Sequence, residues 1–127
     1  MKFTKHSFLL LSTLFFLFPS CKTTEGTDEG VKTYSCTGSN PFWKAEINSN
    51  GIEFSLLGSE KVEYPYKKPV ETSERKLFVT SVEIDGQKSW LKISIVEGIC
   101  STSAAGKKFP LKVEVDKDGT IYYGCGE

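Results

Sequence analysis

The side chains that do most protein chemistry are sparse in this sequence, and their positions narrow what it does. The single histidine is His6. It lies in the basic stretch ahead of an apolar N-terminal run, so no imidazole remains downstream for general acid–base work, for a Cys-His or Ser-His pair, or for zinc ligation. Four cysteines, Cys21, Cys36, Cys100 and Cys125, and 16 carboxylates are left. Glu46, Glu53, Glu63, Glu83 and Glu114 alternate with apolar neighbours and are expected to face solvent, where a carboxylate pair has no dry site to work in. Asp116-Lys-Asp-Gly119 has turn chemistry without the rest of a calcium loop, and no glycine-rich phosphate loop is present. No cofactor and no metal are expected. A non-catalytic binding role is favoured over an enzyme that uses carboxylates or a Ser/Lys pair.

The N-terminus points to export. Lys2 and Lys5 precede an uncharged apolar run from Phe8 to Phe18, which is shorter than the roughly 20 residues a membrane span needs. Pro19 ends it, giving the form of a secretory signal over residues 1–20. Leu17-Phe18-Pro19-Ser20-Cys21 resembles the lipobox of bacterial lipoproteins in its relaxed form. That resemblance implies cleavage after Ser20 and a membrane anchor through lipid on Cys21. Lys22 is not the Asp that retains many lipoproteins at the inner membrane, so outer-membrane placement in the bacterial cell envelope is expected. Residues 21–31 are polar and glycine-containing, as suits a tether. Removing residues 1–20 takes away Lys2 and Lys5 and no acid, leaving 14 basic against 16 acidic side chains. This balance suggests neither nucleic acid nor an anionic surface as a partner.

Residues 32–127 are long enough for one domain with one core. Their apolar period is two. Trp43, Ala45 and Ile47 alternate with polar residues, and Asn48-Ser-Asn-Gly51 turns the chain into Ile52–Leu57. Pro65 confines a strand near Lys61–Tyr66 to an edge, an end or a bulge. Asp85-Gly86 is a strong hairpin signal between Lys76–Ile84 and Gln87–Val96. Leu111, Val113 and Val115 alternate before a turn that leads into Thr120–Cys125. The fold class is therefore all-β, a small antiparallel barrel or sandwich of about seven to eight strands.

Export places Cys36, Cys100 and Cys125 in an oxidising compartment, where one pair should be bridged and one thiol left over. Gly38-Ser-Asn-Pro-Phe-Trp43, Cys100 with Phe109-Pro110 at a fixed distance, and a terminal Gly124-Cys125 resemble an uncharacterised family of small bacterial envelope proteins. Asn40 and Ser101-Thr-Ser-Ala-Ala-Gly106 depart from that family's pattern. The resemblance implies a Cys100–Cys125 disulfide, with Cys36–Cys125 as the rival pairing. Tyr34-Ser-Cys36 bears a weaker similarity to membrane-bound inhibitors of c-type lysozyme, whose inhibitory loop the sequence lacks. Asn40, Phe42, Trp43, Phe109 and Tyr122 are the candidate surface for an envelope protein or a small apolar ligand. Core filling is the competing role for the aromatic residues among them.

Overall fold

The computed structural model describes residues 30–102 and 106–127. The signal segment, the lipobox, Cys21 and residues 22–29 of the tether lie outside the described residues, as do residues 103–105 of the loop after Cys100. Nine strands follow one another: β1 (Tyr34–Ser39), β2 (Phe42–Asn48), β3 (Gly51–Leu56), β4 (Val62–Tyr64), β5 (Val70–Glu71), β6 (Lys76–Ile84), β7 (Gln87–Ser101), β8 (Lys108–Lys117) and β9 (Thr120–Gly126). All pair antiparallel in one sheet of order β4-β3-β2-β1-β9-β8-β7-β6-β5. The all-β, disulfide-stapled class expected from the sequence is present. The strand count is nine because β1, whose alternation is carried only by Tyr34 and Cys36, and the two-residue β5 add to the seven periodic segments.

Turn chemistry sets the register. Asp85 and Gly86 hold φ of 51° and 77°, and Asp118 and Gly119 hold 51° and 90°. Positive φ at both central positions matches the twist of the flanking strands, so Ile84 pairs with Gln87 and Lys117 with Thr120. Alternation then sends one face inward. Trp43, Ala45, Ile47, Ile52, Phe54, Leu91, Ile93 and Val115 are all essentially inaccessible.

The sheet curls around this face without closing into a barrel. Its edges are β4 and β5. The chain between them carries Pro65 and Pro69, which lack the N–H groups a continuing ladder needs. Side chains bridge the seam instead. The Thr80 hydroxyl donates to the Pro65 carbonyl at 2.7 Å, and the Tyr64 and Ser89 hydroxyls bond at 2.9 Å. Thr80 and Ser89 are the only buried polar side chains among the described residues.

The disulfide joins Cys100 to Cys125, with Cα atoms 5.5 Å apart. Cys36 stays a buried thiol, so the rival Cys36–Cys125 pairing is not formed. The register accounts for this. Cys36 stands opposite Gly126 and points to the core, whereas Cys125, one residue earlier on β9, points to the outer face. The bridged strands β7 and β9 have β8 between them, and next-nearest strands normally lie about 10 Å apart. A bulge brings them together. Glu97 pairs with Leu111 and Cys100 with Phe109, so Gly98 and Ile99 oppose Pro110 alone. Pro110 cannot donate to the ladder, and the extra residue bends the end of β7 across β8 toward β9. Phe109 and Cys125 are accordingly buried outside the main core cluster.

The bond closes a 25-residue separation, which stabilises by about 3.5 kcal/mol on the loop-entropy model. Urea unfolding of Cys100→Ser is expected to show a loss of roughly 2 to 5 kcal/mol. Cys36→Ala, which removes one buried sulfur and no cross-link, is expected to cost about 1 kcal/mol. Equal losses from the two would show that the bridge is not the staple.

Candidate functional site

The five residues expected to form a partner surface are not brought together. Asn40 and Phe42 lie at the exposed β1–β2 turn, where a cis peptide links Asn40 to Pro41. Trp43 is fully buried and its indole N–H donates to the Tyr123 carbonyl at 3.2 Å. Tyr122 is half-buried with its ring 5.8 Å from that of Phe54. Phe109 is buried beneath the Lys107 ammonium, 4.6 Å from its ring centre. Three of the four aromatic residues thus pack inward.

The motif residues nevertheless converge, and their meeting is structural. A Cβ at Gly38 would overlap the Trp43 indole, and one at Gly124 would overlap both that ring and the Thr37 backbone. These two glycines are therefore the room the indole occupies. Gly124 and Cys125 work as a pair on opposite faces of β9, one admitting Trp43 inside and the other holding the β7 arm outside. Over-packing of such a site typically costs about 1 to 3 kcal/mol. Gly124→Ala is expected to lose that much in urea unfolding and to change the Trp43 fluorescence spectrum, whereas an unchanged midpoint would contradict the fit.

The constellation closest to catalytic machinery was hidden in the sequence because its members come from three separate strands and a turn. The Ser89 hydroxyl donates to Asp118 Oδ2 at 2.8 Å while contacting the Tyr64 hydroxyl. The Trp90 N–H donates to Asp118 Oδ1 at 2.6 Å, and Lys117 Nζ lies 3.1 Å from Oδ2. Desolvation pushes the Asp118 carboxyl up, but the Trp90 N–H, the Ser89 hydroxyl and Lys117 together hold it below its ordinary value. A lowered pKa makes this carboxylate a weaker base toward the Ser89 proton. The network instead latches the β8–β9 turn to β7 and, through Tyr64, to the edge strand β4.

No carboxylate is buried among the described residues. Glu46, Glu53 and Glu63 form a row across β2, β3 and β4, ion-paired with Lys44 at 2.8 Å from Glu46 and with Lys61 at 2.8 and 3.5 Å from Glu53 and Glu63. Cys36 is equally unsuited to chemistry. Burial, with a smaller contribution from Glu46, pushes its thiol up to about 12, so no reactive thiolate forms at neutral pH.

A hollow of about 520 Å³ opens on the outer face. The bulge creates it. Ile99, next to the bulge residue Gly98, projects at 74 % exposure, and Tyr123 stands on β9 at 71 %. Val96, Lys112 and Glu114 form the floor and rim, and Cys100 closes one end. Exposed large apolar side chains gathered round a concave, charge-rimmed surface are a composition common among binding sites. Ile99 and Tyr123 were overlooked in the sequence because strand alternation assigns them simply to solvent, and only the bend at Pro110 draws them together.

Compared with known proteins, the chain matches no family model, no curated protein and no solved structure.

The Asp118 latch makes a pH prediction. A carboxyl whose folded pKa is depressed contributes stability that is present above its ordinary value of 3.8 and lost as pH falls through the folded value. Asp118→Asn, which keeps a side chain tolerant of positive φ, is expected to be less stable than the parent at neutral pH. The gap should narrow on acidification below about pH 3.8. A gap independent of pH would show that the charge carries none of the latch.

Proposed function

We propose that this chain is an exported bacterial lipoprotein, anchored through lipid on Cys21, whose β-domain binds a partner of the cell envelope without catalysing a reaction. The observation that carries the reading is the Cys100–Cys125 bond. Such staples belong to oxidising compartments outside the cytoplasm, which agrees with the signal segment and lipobox at residues 1–21. The resemblance of Gly38–Trp43, Cys100, Phe109-Pro110 and Gly124-Cys125 to small bacterial envelope proteins supports the same location.

Binding is favoured over catalysis by the chemistry of the domain. Its carboxylates are solvated or ion-paired, its one thiol is held protonated, and its serine network ends in a weak base. The outer hollow supplies what binding needs: Ile99 and Tyr123 offer apolar area, Lys112 and Glu114 offer orientation, and the disulfide fixes them without cost on association. A segment of an envelope protein that presents an apolar side chain between polar ones fits this composition.

Metabolic labelling with a palmitate analogue tests the anchor. The parent chain is expected to take up label and Cys21→Ala to take up none, and label retained in the variant would overturn the assignment.

A further inference from the structure

A second concavity lies where the chain enters the domain. It measures about 600 Å³ and its wall includes Gly30, Val31 and Lys32, the first residues described. Tyr34, Tyr66 and Phe78 line it as one aromatic set, with ring centres 6.0 Å apart for Tyr34 and Phe78 and 6.4 Å for Tyr66 and Phe78. Lysines stand over this floor. Lys32 Nζ is 5.4 Å and Lys76 Nζ 5.8 Å from the centre of the Tyr34 ring, and Lys68 lines the same mouth. The one acid among the lining residues, Glu71, is ion-paired with Lys76 at 3.2 Å. Lys32 and Lys68 are left as exposed cations beside Pro69 and the 64 %-exposed Val70. An adjoining hollow adds Arg75 but also Glu74 and Glu97, so the positive character is confined to the Tyr66 side.

We propose that this end of the domain docks on the anionic headgroups of the membrane surface. The inference deepens the lipoprotein reading and rests on it for orientation. Two features point to a lipid surface as the occupant. The first is charge. Lys32, Lys68 and Lys76 face a single carboxylate although residues 21–127 carry 14 basic against 16 acidic side chains, and each lysine close to an anionic leaflet is favourable. The second is where the preceding chain leads. Gly30 is nine chain steps from Cys21, with eight residues between them, so the mouth cannot lie more than about 30 Å from the anchored residue. The anchor thus holds the lysines at a high effective concentration over the surface they complement. Cation–π contacts from Lys32 and Lys76 to Tyr34 keep those ammonium groups at the mouth, and Val70 is placed to enter the headgroup layer.

Every buried apolar residue named above, the seam and the disulfide lie between Tyr34 and Cys125, so residues 21–127 carry the whole described fold. That chain with Cys21→Ser has no lipid and tests the surface alone. It is expected to sediment with vesicles of phosphatidylglycerol and phosphatidylcholine, to be released by salt, and to ignore vesicles of phosphatidylcholine alone. Lys32→Gln combined with Lys68→Gln should weaken binding roughly 25-fold, about fivefold per lysine. Lys88→Gln, at the far β6–β7 hairpin opposite Glu83, should leave it unchanged. Absence of vesicle binding, equal binding to both vesicle types, equal loss from Lys88→Gln, or complete competition by soluble glycerol phosphate would each overturn the proposal. Because this protein has no lipid, its failure would leave the Cys21 labelling result standing. Failed labelling with intact vesicle binding would remove the anchor and keep the surface.

Discussion

A single antiparallel sheet has one apolar face and no second layer to cover it, and the rest of this structure follows from that constraint. The only surface available to bury Trp43, Phe54, Ile93 and Val115 is the same face of the same sheet, so the strands must curl until the two ends meet. Strand twist carries the curl most of the way. Backbone pairing would finish it, but Pro65 and Pro69 interrupt the segment that joins the edges. Closure therefore falls to hydroxyl groups, which explains why Thr80 and Ser89, the two buried polar side chains among the described residues, both sit at the seam.

The same constraint gives the outer face its shape. A β8 strand that must alternate through Leu111, Val113 and Val115 to serve the core cannot also pair regularly past Pro110. The bulge at Gly98 and Ile99 takes up the mismatch, and the disulfide secures the bent arm to β9. The hollow between Ile99 and Tyr123 is a by-product of that bend. Two restraints, the Cys100–Cys125 bond and the Trp43–Gly124 fit, act on the same few residues of β9 beside it.

The sequence was most legible where local chemistry decides the outcome. Period-two alternation located β2 and β8, turn signals bounded β3, β6, β7 and β9 with β7 running five residues past the expected Val96, and Pro65 marked the end of β4. β1 and β5 were harder to see, since one has only two inward apolar side chains and the other is formed by its neighbour's ladder. The candidate site was legible in part. An aromatic type does not reveal which face of a strand it occupies, and Trp43, Phe109 and Tyr122 packed inward while Tyr123, one residue on, faced out. The Ser89–Asp118 latch and the lysines around Tyr34 depend on long-range contacts that no spacing encodes. Overall charge also concealed a local excess of lysine at the tether end.

Export, lipid attachment and the staple are linked in the proposed function, because the bridge needs an oxidant to form and an anchor at Cys21 would set which surface the N-terminal end of the domain meets. The most direct test is the intact mass of the chain recovered from bacterial envelopes, taken without reduction. The expected species is a polypeptide that begins at residue 21, carries diacylglycerol on Cys21, and lacks the hydrogens of one reduced thiol pair while Cys36 alone accepts an alkylating agent after unfolding. A chain that keeps residues 1–20, bears no lipid, or presents three alkylatable thiols would contradict it.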